Sequence, residues 1–269
     1  MPQAMQWIDL DRHPIDALDA PPGRALVDRC REQLRASGAC ELEGFLRPEA
    51  AMRLAAETEE RAALAHRHRG RSTPYLEIPD DHWPEGHPRR RWDAYSLAAL
   101  AFDHIPEALR ALYAWEPLME FVRRAQGLAE IHRYADPLGA CSVNVFEPGD
   151  RQNWHFDQTD FVVSLALQRP DAGGEFHTTR RLRRPGEECY EQVAAILDGA
   201  REGVTTLPMR PGSLVLFEGR SCLHRVSRVE GRRRRLVALL SYDAKPGTCA
   251  TPLLQQARYG RVQQPGEAR

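Results

Sequence analysis

The chain has 269 residues, 28% of them charged, and a formal net charge of −1, a length that suits one large domain or two small ones. So even a balance supplies no overall field to draw the protein to nucleic acid or to a lipid surface. Its six cysteines form no C-x-x-C pair and read as reduced core residues rather than a disulfide framework or a zinc site.

The opening stretch, MPQAMQWIDLDRHP, lacks the basic and apolar segments of a signal peptide, and no apolar run approaches the roughly 18 residues of a membrane span. A soluble cytoplasmic protein is expected. Residues 1–22 read as a polar arm on the surface. Apolar spacing predicts a helix from Arg24 to Ser37, stopped by Gly38. A short extended piece, ACELEGFL, follows, and Pro48 opens a second helix to about His68, with Gly70 after its end. His66 and His68 lie on different faces of such a helix and read as a solvated end, not a metal pair.

Residues 70–93 carry Pro, Gly, charge and aromatics without periodicity. Tyr75, Trp83 and Trp92 argue for an ordered lid over a pocket. Two helices are predicted next, over 95–102 and 106–126, the second broken at Pro117. From about Ala129 the texture changes to short β-type runs bounded by turn signals, interrupted by one helix over about 187–200. The fold class is mainly β with flanking helices, a β-sandwich or barrel. The expected division is a helical region with the lid over 1–128, a β core over 129–248 and a C-terminal tail over 249–269, forming one structural domain.

Within the β half, His155 and Asp157 stand two residues apart in WHFDQ, just before an apolar strand. On an extended backbone both side chains point to one side, which suits two corners of a facial metal triad. A surface His beside a surface Asp is the plain alternative. His224, in CLHRV with Leu223 and Val226 around it, is a candidate third ligand; its alternative is a core histidine bonded to the backbone. Two His and one carboxylate would leave three coordination positions open, as a non-haem iron(II) needs for a chelating cosubstrate and O₂, whereas a structural zinc is closed by four ligands. On the last long strand Arg235 shares a face with Val237 and Leu239, and an Arg of the cluster Arg232–Arg235, at the inner mouth of a strand adjacent to that of His224, could hold a dicarboxylate by a bidentate fork; a solvated turn is the plain alternative. Asn144 and Trp154 are candidate pocket walls, with simple packing as the competing role for Trp154.

The motifs WHFD, SLALQ, GGEF, RPGSLVLFEG, LHRV and RLVALLSYD, in that order, resemble the Fe(II)/2-oxoglutarate oxygenase superfamily. More narrowly, the chain is similar to the standalone radical halogenases of free amino acids (the lysine-halogenase-like family) and their hydroxylase siblings, over roughly residues 70–248. The resemblance implies a double-stranded β-helix (jelly-roll or cupin-like) with helical support, and iron on His155, Asp157 and His224. It implies 2-oxoglutarate on Arg235, with Arg233 and Arg234 as fallbacks, and O₂ as the remaining reactant. Halogenases of this family carry Gly or Ala at the position of Asp157, which frees a site for chloride. With a carboxylate there, the implied activity is hydroxylation of an unactivated C–H bond of a free amino acid or close derivative, coupled to conversion of 2-oxoglutarate to succinate and CO₂. For the substrate, Arg89, Arg90 or Arg71 could meet a carboxylate and Glu77, Asp80, Asp81 or Asp160 an amine, with His87, Gln158 and Trp154 as further contacts. Two other readings stay open: the same oxygenase acting on a peptide- or carrier-bound residue or desaturating it, and a non-catalytic β-sandwich that binds a ligand.

Overall fold

A computed structural model describes residues 3–78, 80–264 and 266. Helix α1 (Pro21–Ser37) opens on two prolines, earlier than Arg24, and stops at Gly38, whose φ of 77° makes the left-handed turn that L side chains avoid. The described residues before it pack inward and do not form a surface arm. Trp7, Ile8, Ile15 and Leu18 are buried, and Ile8 bridges to Leu46. Strand β1 (Ala39–Leu42) leads to α2 (Pro48–Arg61). That helix ends well short of His68, because the next residues form β2 (His66–Ser72), paired antiparallel with β3 (Asp93–Leu100). The alanine-rich β3 therefore replaces the helix predicted over 95–102. Tertiary pairing overrides local preference here: β3 lies between β2 and β5 and buries Leu97 on one face and Ala98 and Leu100 on the other. Beyond it, α3 (Glu107–Ala114) and α4 (Glu116–Gln126) are separated at Trp115, with Pro117 in the first turn of α4.

The β half supplies β4 (His132–Arg133), β5 (Cys141–Phe146), β6 (Gln152–His155), β7 (Val162–Gln168), β8 (Ala172–Gly173) and β9 (Phe176–Arg181). After α5 (Tyr190–Leu197) come β10 (Val204–Leu207), β11 (Leu214–Phe217), β12 (Cys222–Val226), β13 (Val229–Glu230), β14 (Arg235–Leu240) and β15 (Tyr242–Asp243). A large antiparallel sheet has the order β1-β11-β7-β14-β5-β3-β2, and a smaller one the order β10-β9-β12-β6. Together they make the double-stranded β-helix core. The large sheet is buried on both faces. Leu236, Ala238 and Leu240 pack under α1–α4, while Val237 joins Phe146, Val215 and Phe217 in the layer between the sheets. Each fully buried Leu or Phe in these layers contributes about 1.5–3 kcal/mol, so the strand parity that aims Arg235 inward is firmly fixed.

The stretch expected as a C-terminal tail over 249–269 contains a helix. Thr251 caps α6 (Pro252–Tyr259) by accepting from Leu254 N, Pro252 fills the first turn, and Gly260 ends it with φ 70°. All six cysteines are free, four of them buried. Among the described residues, no helix is long and apolar enough to cross a membrane.

Candidate metal centre

Strands β6 and β12 are antiparallel neighbours in the small sheet, and their register sets His155 directly opposite His224. The two imidazole centroids lie 4.2 Å apart. Each ring is oriented by its own strand: Nδ1 of His155 sits 2.8 Å from Asn153 O, and Nδ1 of His224 2.9 Å from Cys222 O. A carbonyl oxygen only accepts, so each Nδ1 carries the proton and each Nε2 keeps its lone pair for the interior. Those Nε2 atoms face the Asp157 carboxylate at 3.5 and 3.3 Å. Asp157 lies just past the end of β6, held by its backbone N–H donating to Gly219 O at 2.9 Å. Donor atoms of the three residues all lie within 4.8 Å of one another.

The electrostatics suit a cation. Burial alone would raise the Asp157 pKa, but the His224 and His155 imidazoles pull it well below the usual carboxylate range. Burial and then the neighbouring His224 lower His155. Burial would also lower His224, yet the Asp157 carboxylate beside it prevails and raises it. Two imidazoles and one ionised acid, both imidazoles almost wholly buried, are the donor set of a facial triad.

Arg235 stands at the far end of a cavity of about 100 Å³ that opens on His155, Asp157 and His224. It is 5% exposed, burial pushes its pKa down to about 10, and its partners are Met209 Sδ at 3.4 Å and the Phe146 ring at 5.4 Å. Among the described residues no carboxylate pairs with it, and a buried guanidinium in that state favours an anion. Asn144 and Ser164 line the same cavity, and among the described residues the buried Ser164 hydroxyl has no partner. Arg235 reaches this point from the large sheet, across the core from His224, and not from a strand adjacent to it. Arg233 and Arg234 are elsewhere: Arg233 bonds Gln168 Oε1 at 3.3 Å on the exterior, and Arg234 pairs with Glu59 and Glu147.

A second cavity, about 400 Å³, adjoins on the other side of Asp157 and is lined by Gln158. The lid candidates do not reach its wall. Arg89 is tied to Glu77, to Glu188 at 3.2 Å and to Tyr190 Oη at 2.8 Å, and lies over the Tyr75 ring. His87 stacks on Trp83 at 4.2 Å, and Arg90 bonds Trp83 O and Asp81. Arg71 bonds Trp92 O, Asp80 pairs with His82, and Asp160 pairs with the exposed Arg220. Trp154 packs on the outer side of the small sheet with Tyr75, Phe156 and Leu223, because its neighbour His155 takes the inward position. His66 and His68 share one face of β2, and neither belongs to a metal-ligating group among the described residues.

The sequence reading missed Arg258, Tyr259 and Leu254, which α6 brings to the wall of the larger cavity. The signal was present in T-P-L-L-Q-Q-A-R-Y-G, a cap residue, a first-turn proline and a terminal glycine. It also missed Gly219, against which the Asp157 side chain rests.

Residues 23–251 match the model of a family described as Halogenase D. No curated protein matches the chain. Among solved structures, AviO1 from Streptomyces viridochromogenes Tue57 is similar with a TM-score of 0.55 at 20% identity, covering 84% of this chain and 97% of that one. An oxidoreductase of the 2OG-Fe(II) oxygenase family from Burkholderia pseudomallei gives 0.52 at 14%, covering 82% and 92%. HygX from Streptomyces hygroscopicus, solved with nickel, 2-oxoglutarate and hygromycin B bound, gives 0.52 at 12%, covering 82% and 88%. At these identities the likeness is one of fold.

Proposed function

The chain belongs to the Halogenase D family, and on that footing we propose that it is an iron(II)- and 2-oxoglutarate-dependent oxygenase that hydroxylates a free amino acid or close derivative. The observation that carries the reading is the pairing of two features in one cavity. His155, Asp157 and His224 converge at one end, and the buried, acid-free Arg235 stands at the other. In this reading the three residues hold the iron, and Arg235 forks the distal carboxylate of 2-oxoglutarate. Iron bound there with 2-oxoglutarate and O₂ supplies the oxidising power to remove hydrogen from an unactivated C–H bond.

The chain's own contribution is placement. Strand carbonyls Asn153 O and Cys222 O fix the imidazoles, and the layer around Phe146, Phe176, Phe217 and Val237 keeps water from the cosubstrate arm. Asp157 favours hydroxylation over halogenation, since its carboxylate takes the coordination position that a halide would need. The net reaction consumes 2-oxoglutarate, O₂ and a substrate C–H bond and yields succinate, CO₂ and an alcohol.

The test mixes the protein anaerobically with iron(II), 2-oxoglutarate and a panel of amino acids, admits oxygen, and follows succinate and product mass. Succinate that rises with one amino acid, and a product heavier by one oxygen atom, is the expected result. A product lighter by two hydrogens points to desaturation. Succinate unresponsive to every free amino acid points to a tethered substrate, and no succinate at all to a binding module.

A further inference from the structure

The larger cavity holds a positive charge that the proposed chemistry leaves unused. Arg258, in the last turn of α6, borders both cavities where they meet beside Asp157. Its guanidinium donates to Asn144 Oδ1 at 2.6 Å and to Tyr259 Oη at 3.2 Å. Both acceptors are neutral, and among the described residues no carboxylate pairs with it.

Its position is held from below. In the D-P-L-G stretch, Asp136 Oδ1 accepts from Leu138 N, Gly139 N and the wholly buried Gln255 Nε2, at 2.8, 2.9 and 2.9 Å. Asp136 Oδ2 accepts from Ala250 N at 3.0 Å. That carboxylate is therefore consumed in docking α6 and is not open to a ligand. Asp136 and Asp157 are the acids among the described residues of the chamber wall, and Asp157 belongs to the metal triad. The rest of the wall mixes apolar and aromatic side chains, among them Phe161, Val162, Leu239 and Leu254, with the neutral polar Ser142, Gln152, Gln158, Thr159 and Ser241.

We propose that Arg258 binds the substrate's carboxylate and that the substrate is an amino acid whose side chain is uncharged. The proposal rests on the oxygenase reading and names its substrate class. A guanidinium ringed by neutral acceptors gains most from an anion that displaces water from it. The zwitterionic head group of an amino acid carries its own compensating charge. A second ammonium group on the side chain would instead lose its hydration and meet no free acid. A side-chain carboxylate would find no second cation among the described residues of the wall and would face Asp157.

The experiment is anaerobic calorimetric titration of the full chain, loaded with iron(II) and 2-oxoglutarate, against the proteinogenic L-amino acids. The tightest binder is then compared with its own carboxamide on wild type, Arg258→Met and Arg258→Lys. The expected winner has an uncharged side chain. Its carboxamide should bind wild type roughly 10- to 100-fold more weakly, the Met variant should lose a similar factor for the carboxylate and change by less than about threefold for the amide, and Lys should recover part of the loss. If the Met variant does not fold, the carboxylate-to-amide ratio on wild type and on the Lys variant decides.

The proposal is overturned if lysine, arginine, aspartate or glutamate binds best, if carboxylate and amide bind alike, or if no amino acid binds. It is equally overturned if Arg258→Met weakens 2-oxoglutarate in place of the amino acid, since the anion at Arg258 would then be the cosubstrate's. Succinate formation by wild type reads the oxygenase proposal separately. Intact carboxylate discrimination without succinate would sink that proposal and leave Arg258 as a carboxylate site.

Discussion

Replacing Arg235 with Met removes a charge with which, among the described residues, no carboxylate pairs, so apoprotein and complex should respond in opposite directions. Burial pushes this guanidinium down to about 10, against an ordinary value of roughly 12.5. At about 1.36 kcal/mol per pKa step, the cation costs the empty fold about 3 kcal/mol. The Phe146 ring, 5.4 Å from the guanidinium carbon, returns about 1 kcal/mol as a cation–π contact. The net penalty is about 2 kcal/mol. Because the folded pKa is lowered, that penalty is present in full at neutral pH and is released only as pH rises through about 10. Methionine fills most of the same space without charge, so the apo variant should melt about 4–8 °C above wild type. Adding 2-oxoglutarate at about 100 times its Kd should then stabilise iron-loaded wild type by about 2.7 kcal/mol and the variant not at all. Anaerobic thermal unfolding with and without 2-oxoglutarate reads both effects. An apo variant less stable than wild type, or one that keeps the 2-oxoglutarate increment, would refute the reasoning.

Asp157→Gly should lower iron affinity and hydroxylated product by roughly 100-fold or more, since even outer partners of a metal site are worth 10- to 100-fold; a variant hydroxylating at the wild-type rate removes Asp157 from the ligand set. In Gly219→Ala the added Cβ would lie 2.9 Å from Asp157 Cβ and overlap its carboxylate, so iron affinity measured by competition with a chelator should fall about tenfold; unchanged affinity contradicts the contact. Burial holds His68 down at about 4 from 6.5, so the unfolded chain takes up a proton there that the folded one refuses. Stability should therefore be level above about pH 7 and fall as pH drops from about 6.5 towards 4, by about 1–2 kcal/mol after allowing for partial exposure. His68→Gln should flatten that limb in denaturant titrations, and an unaltered slope would show that other groups cause it.

What the sequence disclosed followed strand parity. His155, His224 and Arg235 were legible because alternation on a half- or fully buried strand fixes which side chains face inward, and the buried Val and Leu of β14 hold that register. The same rule, applied to Trp154, turns it away from the site. Local preference misled where neighbours decide: the alanines of β3 suit a helix, yet β2 and β5 claim them as a strand. The lid charges Arg89, Arg90 and His87 read as open to substrate because pairing across a loop cannot be seen from spacing; Glu77, Glu188 and Tyr190 occupy Arg89, Trp83 O and Asp81 occupy Arg90, and the Trp83 ring stacks on His87. Arg258 was hidden for the opposite reason. Its helix carries ordinary end signals, but its docking on Asp136 spans more than half the length of the β region, and no periodicity announces such a contact.

The measurement that bears most directly on the account is a single turnover under isotopically labelled O₂, with iron(II), 2-oxoglutarate and the amino acid that binds most tightly. The account predicts one labelled oxygen in succinate and hydroxylated amino acid carrying a hydroxyl oxygen from the same gas. Unlabelled product, a chlorinated product in the presence of chloride, or 2-oxoglutarate recovered intact would contradict it.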